Sequence, residues 1–171
     1  MGVKVTTGND PAAKVRAALA ALGIQYEWVE IDPQFADTAV FSEKYGFPMD
    51  HCGNTILVAS KKEPKKYSAC IVQGSMRLDV NKKVSELMGV PRLSFAAAEE
   101  TMAVTGMLIG GVTPFALPEG IPIYVDERIM ELDYVILGSG SRSSKVKMPP
   151  AEFRKVPGVQ VITGLAMPPK A

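Results

Sequence analysis

The sequence predicts a single α/β domain with several short strands, at least some of them antiparallel. Three observations carry this expectation. A chain of 171 residues with 47% hydrophobic and 22% charged positions suits one domain with a sizeable core. Apolar residues recur with helical spacing in some segments and alternate, or run on unbroken, in others. Two β-branched runs, Thr55–Ala59 and Ser68–Val72, flank the polar turn Lys61-Lys62-Glu63-Pro64-Lys65-Lys66, as in a hairpin.

The first helix opens at Asn9 or Asp10, either of which can cap it. Pro11 suits its first position, Val15, Ala18, Leu19 and Leu22 share a face, and Gly23 ends it. Ile24, Tyr26 and Trp28 alternate with Gln25 and Glu27, so 24–31 reads as a strand that Asp32-Pro33 breaks. A short helix is expected over 37–44, closed by Gly46 and Pro48. After the hairpin, Asp79 opens a helix through Val80, Val84, Leu87 and Met88, stopped by Gly89 and Pro91. Leu93-Ser94-Phe95 is a short strand. Residues 97–104 form a helix whose first turn holds Glu99 and Glu100, favoured at the positive end of its dipole. A glycine-rich stretch, 105–115, follows. Beyond it come a strand at 121–125, a short helix from Glu127, and a strand at 134–137. A Gly138-Ser139-Gly140-Ser141 turn then leads to a strand at 145–148, a helix from Pro149-Pro150 to about Lys155, and a last strand at 159–162.

Composition excludes several function classes. No apolar run approaches the roughly 18 residues of a membrane span. The segment Met1–Asp10 lacks the basic-then-apolar layout of a secretion signal, so a cytoplasmic location is expected. Cys52 and Cys70 are too few for a disulfide scaffold, and with the single His51 they do not make a zinc site; no metal and no cofactor is expected. Nineteen basic against 18 acidic residues leave +1, so nucleic acid could be held only by a local patch.

His51 and Cys52 are adjacent, and neighbouring side chains on extended backbone point apart, which argues against a catalytic pair. There is no nucleophile elbow, phosphate loop or dinucleotide turn. The stretch Thr105-Gly106-Met107-Leu108-Ile109-Gly110-Gly111-Val112-Thr113-Pro114-Phe115 has two readings. Its glycines can aim backbone N–H groups into a cavity as an oxyanion hole, or they can simply relieve crowding in a buried connection. Two basic clusters could meet phosphates: Lys61, Lys62, Lys65 and Lys66 at the hairpin tip, and Arg142, Lys145, Lys147, Arg154 and Lys155 nearer the C-terminus.

Five segments in order then resemble the YbaK/prolyl-tRNA synthetase-associated editing-domain family. They are Asn54–Ala59, Arg77–Lys83, the 105–115 stretch with its Gly-Gly-x-x-Pro ending, Ile123–Asp126 and Gly138–Arg142. The match is strongest over 54–162 of a single domain spanning 1–171. The resemblance implies a mixed sheet packed with helices and a pocket for the 3′-terminal adenosine with its esterified amino acid. It also implies hydrolysis of mischarged aminoacyl-tRNA in trans, without metal or cofactor, and an association with a synthetase. On that basis Gly110 and Gly111 are expected as backbone oxyanion donors, with Thr113 and Pro114 shaping the loop. Asn54 and Thr55 are expected to contact the adenosine or the amino acid, and Ser139, Ser141 and Arg142 to line the mouth. Phe35, Phe41, Phe47 and Met107 are candidate walls, and Lys61, Lys62, Lys65 and Lys66 would meet the acceptor stem.

One departure stands out. Many members of the family place lysine directly before this Thr, whereas here the residue is Asn54, which hydrogen-bonds without charge. Lys145 could return a charge to the pocket. The alternative is a non-catalytic tRNA- or synthetase-binding module that has kept the pocket and lost turnover.

Overall fold

A computed structural model describes residues 10–169. Asn9, the alternative cap, lies outside them. Asp10 is the cap, its carboxylate accepting from the Ala12 N–H at 3.0 Å, and helix α1 (Pro11–Ala21) buries Val15 and Leu19.

Among the described residues, ten strands make three sheets. The largest joins β2 (Gly53–Ser60), β3 (Tyr67–Gln73), β5 (Leu93–Phe95), β6 (Ile123–Asp126) and β9 (Val159–Ile162) in the order β5-β2-β3-β6-β9. Its β2–β3 and β2–β5 pairs are antiparallel and its β3–β6 and β6–β9 pairs parallel, so the sheet is mixed. An antiparallel trio, β1-β8-β7, comprises β1 (Glu27–Glu30), β7 (Val135–Gly138) and β8 (Ser144–Met148). A parallel bridge from Cys52 to Ile136 ties the trio to β2. The small pair β4 (Arg77–Leu78) and β10 (Ala166–Met167) has no forerunner in the sequence pattern. Buried Asp126 secures it, accepting from the Ala166 N–H at 3.0 Å.

Strand β3 explains the fold's centre. Ala69 and Ile71 face one core, with Val15, Leu19, Phe115, Val125, Leu137, Val146 and Phe153. Cys70 and Val72 face the other, with Val58, Leu78, Val84, Tyr124 and Leu165. A strand covered on both faces has no polar side to alternate, hence its continuous apolar run. A third cluster, Ile31, Ala36, Phe41, Cys52 and Ile136, fills the space under helix α2 (Thr38–Tyr45).

Several elements are shorter than the pattern predicts. Ile24 packs in the main core ahead of β1 without pairing. The helix expected from Asp79 begins as one wide turn, with Val84 N–H donating back five residues to Asp79 O at 3.1 Å, and only α3 (Ser85–Met88) is α-helical. Residues 127–131 and 150–155 are 3₁₀ turns. Helix α4 (Ala98–Thr105) keeps Glu99 and Glu100 in its first turn.

Candidate functional site

The hairpin places Asn54 and Thr55 at the end of β2 remote from its lysine-rich tip. Gly74 N–H donates to Cys52 O at 2.7 Å, which sets the phase of the ladder. Asn54, Ile56 and Val58 therefore exchange hydrogen bonds with β3, and Thr55 turns its backbone groups the other way. On that side β5 pairs only with Val58–Ser60, and β7 bridges only to Cys52. The sheet edge is open between them. A cavity of about 310 Å³ lies against this opening, its walls drawn from Asn54 and Thr55, Phe41, Phe95, Ile109 and Gly110, and Lys145. The Thr55 hydroxyl is buried with no protein partner among the described residues.

Two cations join the cavity's walls. Lys145, only 6% exposed, donates from Nζ to Ala36 O at 2.7 Å and Gly110 O at 2.9 Å, with Nζ 5.3 Å from the Phe41 ring centre. An ammonium has three protons, so these two bonds leave one over. Burial pushes the Lys145 pKa down to about 8. Arg142 donates to Ile109 O at 2.8 Å, Asp37 Oδ1 at 3.0 Å and Pro33 O at 3.0 Å. Asp37 stands at the N-cap of α2 but makes no capping bond; its carboxylate serves Arg142 instead. The next residue, Thr38, donates its hydroxyl to the Asn54 side-chain oxygen, leaving the carboxamide NH₂ for a ligand.

The glycine loop is ordered by close approach. A Cβ on Gly111 would collide with the Ser141 backbone, and one on Gly138 would come within 2.5 Å of Val112 O. The two segments interlock, with Gly140 N–H donating to Gly111 O at 2.6 Å and Leu108 N–H to Gly140 O at 3.1 Å. The two glycine N–H groups then part company. Gly111 donates to Leu108 O at 2.8 Å, closing a turn. Gly110, at φ +93°, has no acceptor for its N–H among the described residues, and Arg142 fixes the preceding carbonyl.

The structure brings Asn54, Thr55, Gly110 and Lys145 together at the cavity, with Arg142 bracing it and Gly111 supporting the loop behind. It sets other expected residues apart. Met107 packs in the main core, and Pro114 lines a separate shallow hollow with Ala116 and Leu117. Thr113 is fully buried, its hydroxyl without a partner among the described residues, and Ser139 is buried against Ser144, their hydroxyls 2.8 Å apart. Ser141 contributes its backbone to the loop contact and its hydroxyl accepts from Ser143 N–H at 3.2 Å. Of the four proposed walls only Phe41 lines the cavity; Phe47 stacks behind it at 5.4 Å, and Phe35 and Met107 lie outside. The lysines stay at the hairpin tip.

Cys52 lies on the cavity wall, but burial raises its thiol to about 11 and it is no ready nucleophile. His51 points elsewhere, Nε2 lying 2.9 Å from Asp133 Oδ1 and its ring stacked on Tyr134 at 4.4 Å. No cluster of His, Cys, Asp or Glu suited to a metal occurs among the described residues. Asp37, Thr38, Phe95 and Thr101 line the cavity although no motif marked them. They come from α2, β5 and α4, whose convergence is tertiary.

A mixed sheet with an open edge, a glycine loop and a buried ammonium meet at this one cavity. The family of aminoacyl-tRNA editing domains matches residues 32–156, and the chain belongs to it. Among solved structures, hypothetical protein APE2540 superposes with a TM-score of 0.80 at 26% identity, over 90% of this chain and 99% of that one. A proposed trans-editing enzyme for prolyl-tRNA synthetase superposes at 0.78 and 26% identity, over 90% and 95%. Uncharacterized protein YwhH of Bacillus subtilis (strain 168) is 30% identical over 83 residues, which are 48% of this chain and about half (52%) of that protein. Aminoacyl-tRNA editing is thus the general role of the family to which the chain belongs. No helix among the described residues is long and apolar enough to cross a membrane.

Proposed function

We propose that the protein is a trans-editing hydrolase that cleaves the ester linking a wrong amino acid to the 3′-terminal adenosine of tRNA, acting in the cytoplasm. The observation that carries this reading is that Gly110, whose N–H has no acceptor among the described residues, and Lys145, with two of its three ammonium protons engaged, both line one cavity at the open edge of β2. Water attacks the ester carbonyl carbon, the carbonyl electrons move onto oxygen, and these two donors stabilise the oxyanion. Collapse breaks the ester carbon–oxygen bond, the attacking water's proton passes to the departing ribose oxygen, and the amino acid leaves as the free acid. Asn54 NH₂ and the Thr55 hydroxyl and main chain hold the amino acid or ribose. Gly111, Thr113 and Pro114 keep the loop in place, with Ser139 and Ser141 in the segment that packs on it. The charge missing at residue 54 is supplied from β8 by Lys145. A synthetase that delivers the tRNA is the expected partner.

The tied oxygen of Asn54 favours a second reading, a module that binds the charged end without cutting it. A deacylation time course decides. A panel of correctly and incorrectly charged tRNAs, including Ala, Ser, Thr, Cys and Pro esters, is incubated with chelator present. Rapid loss of one or two esters, slowed about 100-fold in Lys145→Met, is expected. Intact esters throughout, with charged tRNA still bound, would establish the binding module. Gly110→Ala is a poor probe of the oxyanion donor, because its positive φ and the Arg142 guanidinium both resist a side chain.

A further inference from the structure

We propose that Phe95 is a stacking platform for a base at the 3′ end of single-stranded RNA, whose backbone leaves the cavity along β5 towards Arg92, Lys62 and Lys66. The proposal deepens the hydrolase reading above and rests on it for the seat of the ester. Phe95 borders the cavity yet is 57% exposed, and Ile109 across from it is 47% exposed. An exposed aromatic at a cavity mouth is idle in the folded monomer, and stacking a base on such a ring is insensitive to base identity. β5 is the edge strand of its sheet, and beyond it a hollow shared with Arg77, Asp79 and Asn81 reaches Phe95 as well.

The strand leads straight to positive charge. Phe95 lies opposite Val58 and Leu93 opposite Ser60, after which Lys61 N–H donates to Arg92 O at 3.1 Å. A second cavity, about 210 Å³, opens there between Lys62, Lys66 and Arg92, with Glu63 its one acid. Lys65 is diverted: its Nζ donates to Ser60 O at 3.0 Å and lies 3.5 Å from Glu100. From Phe95 to Arg92 is three strand steps, roughly 10 Å, a span that a stretched dinucleotide covers. Aromatic platform and cationic cavity follow in sequence along one strand, the arrangement by which single-stranded nucleic acid is gripped without base readout.

The probe is a 5′-labelled, uncharged RNA ending in cytidine-cytidine-adenosine, titrated by fluorescence anisotropy against the whole protein, its Phe95→Ala, Phe95→Trp and Arg92→Ala variants, and Val161→Ala on distant β9. Phe95→Ala should weaken binding roughly ten-fold or more, Phe95→Trp should restore it, and Val161→Ala should leave it unchanged. Arg92→Ala should lower the slope of log affinity against log salt by about 0.7. RNA binding with these responses upholds the platform even if every ester survives, in which case only the hydrolase reading fails. Equal binding by Phe95→Ala and the parent overturns the platform even if esters are cleaved, and the apolar rim is then a protein contact.

Discussion

Lys145 shows how much one residue's setting matters. Its ammonium holds two carbonyls from opposite walls of the cavity, and burial puts its pKa at about 8, against an ordinary lysine value of 10.5. As pH rises above about 8 the unfolded chain keeps this proton while the native state sheds it, so stability increases with pH. The buried thiols of Cys52 and Cys70, raised to about 11 and about 12 from 9.0, act in the opposite sense above pH 9. Urea melts of the wild type should therefore show a rise between about pH 8 and 9 that Lys145→Met lacks. If Lys145 also donates to the oxyanion, the same variant should lower kcat about 100-fold, the effect of losing one such donor. Gly111→Ala is a purely structural change: the Ser141 backbone must shift to admit the methyl, and a clear fall in thermal midpoint should follow.

The hairpin from β7 through Ser139–Ser143 to β8 acts as one device. Its turn packs on the glycine loop, and its two cations reach the 33–37 segment before α2. Loop and segment are thereby held at fixed separation across the cavity. Arg142→Ala should release Ile109 O and Pro33 O, let the Gly110 peptide wander, and lower kcat about ten-fold or more with a smaller change in KM. Arg142→Lys should rescue only part of this, because an ammonium cannot reproduce the fork that reaches three acceptors. A change confined to KM would instead place Arg142 directly on the substrate. At the other end of β2 the lysine tip is free of this bracing.

Across the whole molecule, the cores that flank β3 set the frame on which the open edge depends. Ile71 is fully buried in the core that also holds Val15, Leu19 and Leu137, and Ile71→Ala should cost about 2–5 kcal/mol in chemical denaturation. Most of the frame was legible in the sequence. The Asp10–Pro11 helix start, the β2–β3 hairpin with its lysine turn and the strand at 93–95 follow from local rules of capping, alternation and turn chemistry. Elements defined by weak local preference came out differently: the turn from Asp79 is wide, and 127–131 and 150–155 coil as 3₁₀ turns where packing, not propensity, sets the pitch. The glycine loop was visible as a loop with two readings, an oxyanion hole or a crowded connection, and the sequence could not show which of its N–H groups a neighbouring carbonyl would occupy. Nor could the sequence show that Pro114 and Met107 turn away from the cavity while Asp37, Thr38 and Phe95 turn towards it.

By itself, then, the sequence determined the α/β class, the hairpin and the family to which the chain belongs, because these rest on residues close together in the chain or on motifs kept in order. Only the tertiary structure decided the site. It left the edge of β2 open at Thr55, spent the Gly111 N–H and left that of Gly110, and carried Lys145 across 35 residues to Gly110 O. Hydrogen bonds between distant segments depend on how whole elements pack, and no local pattern encodes which donor will find which acceptor.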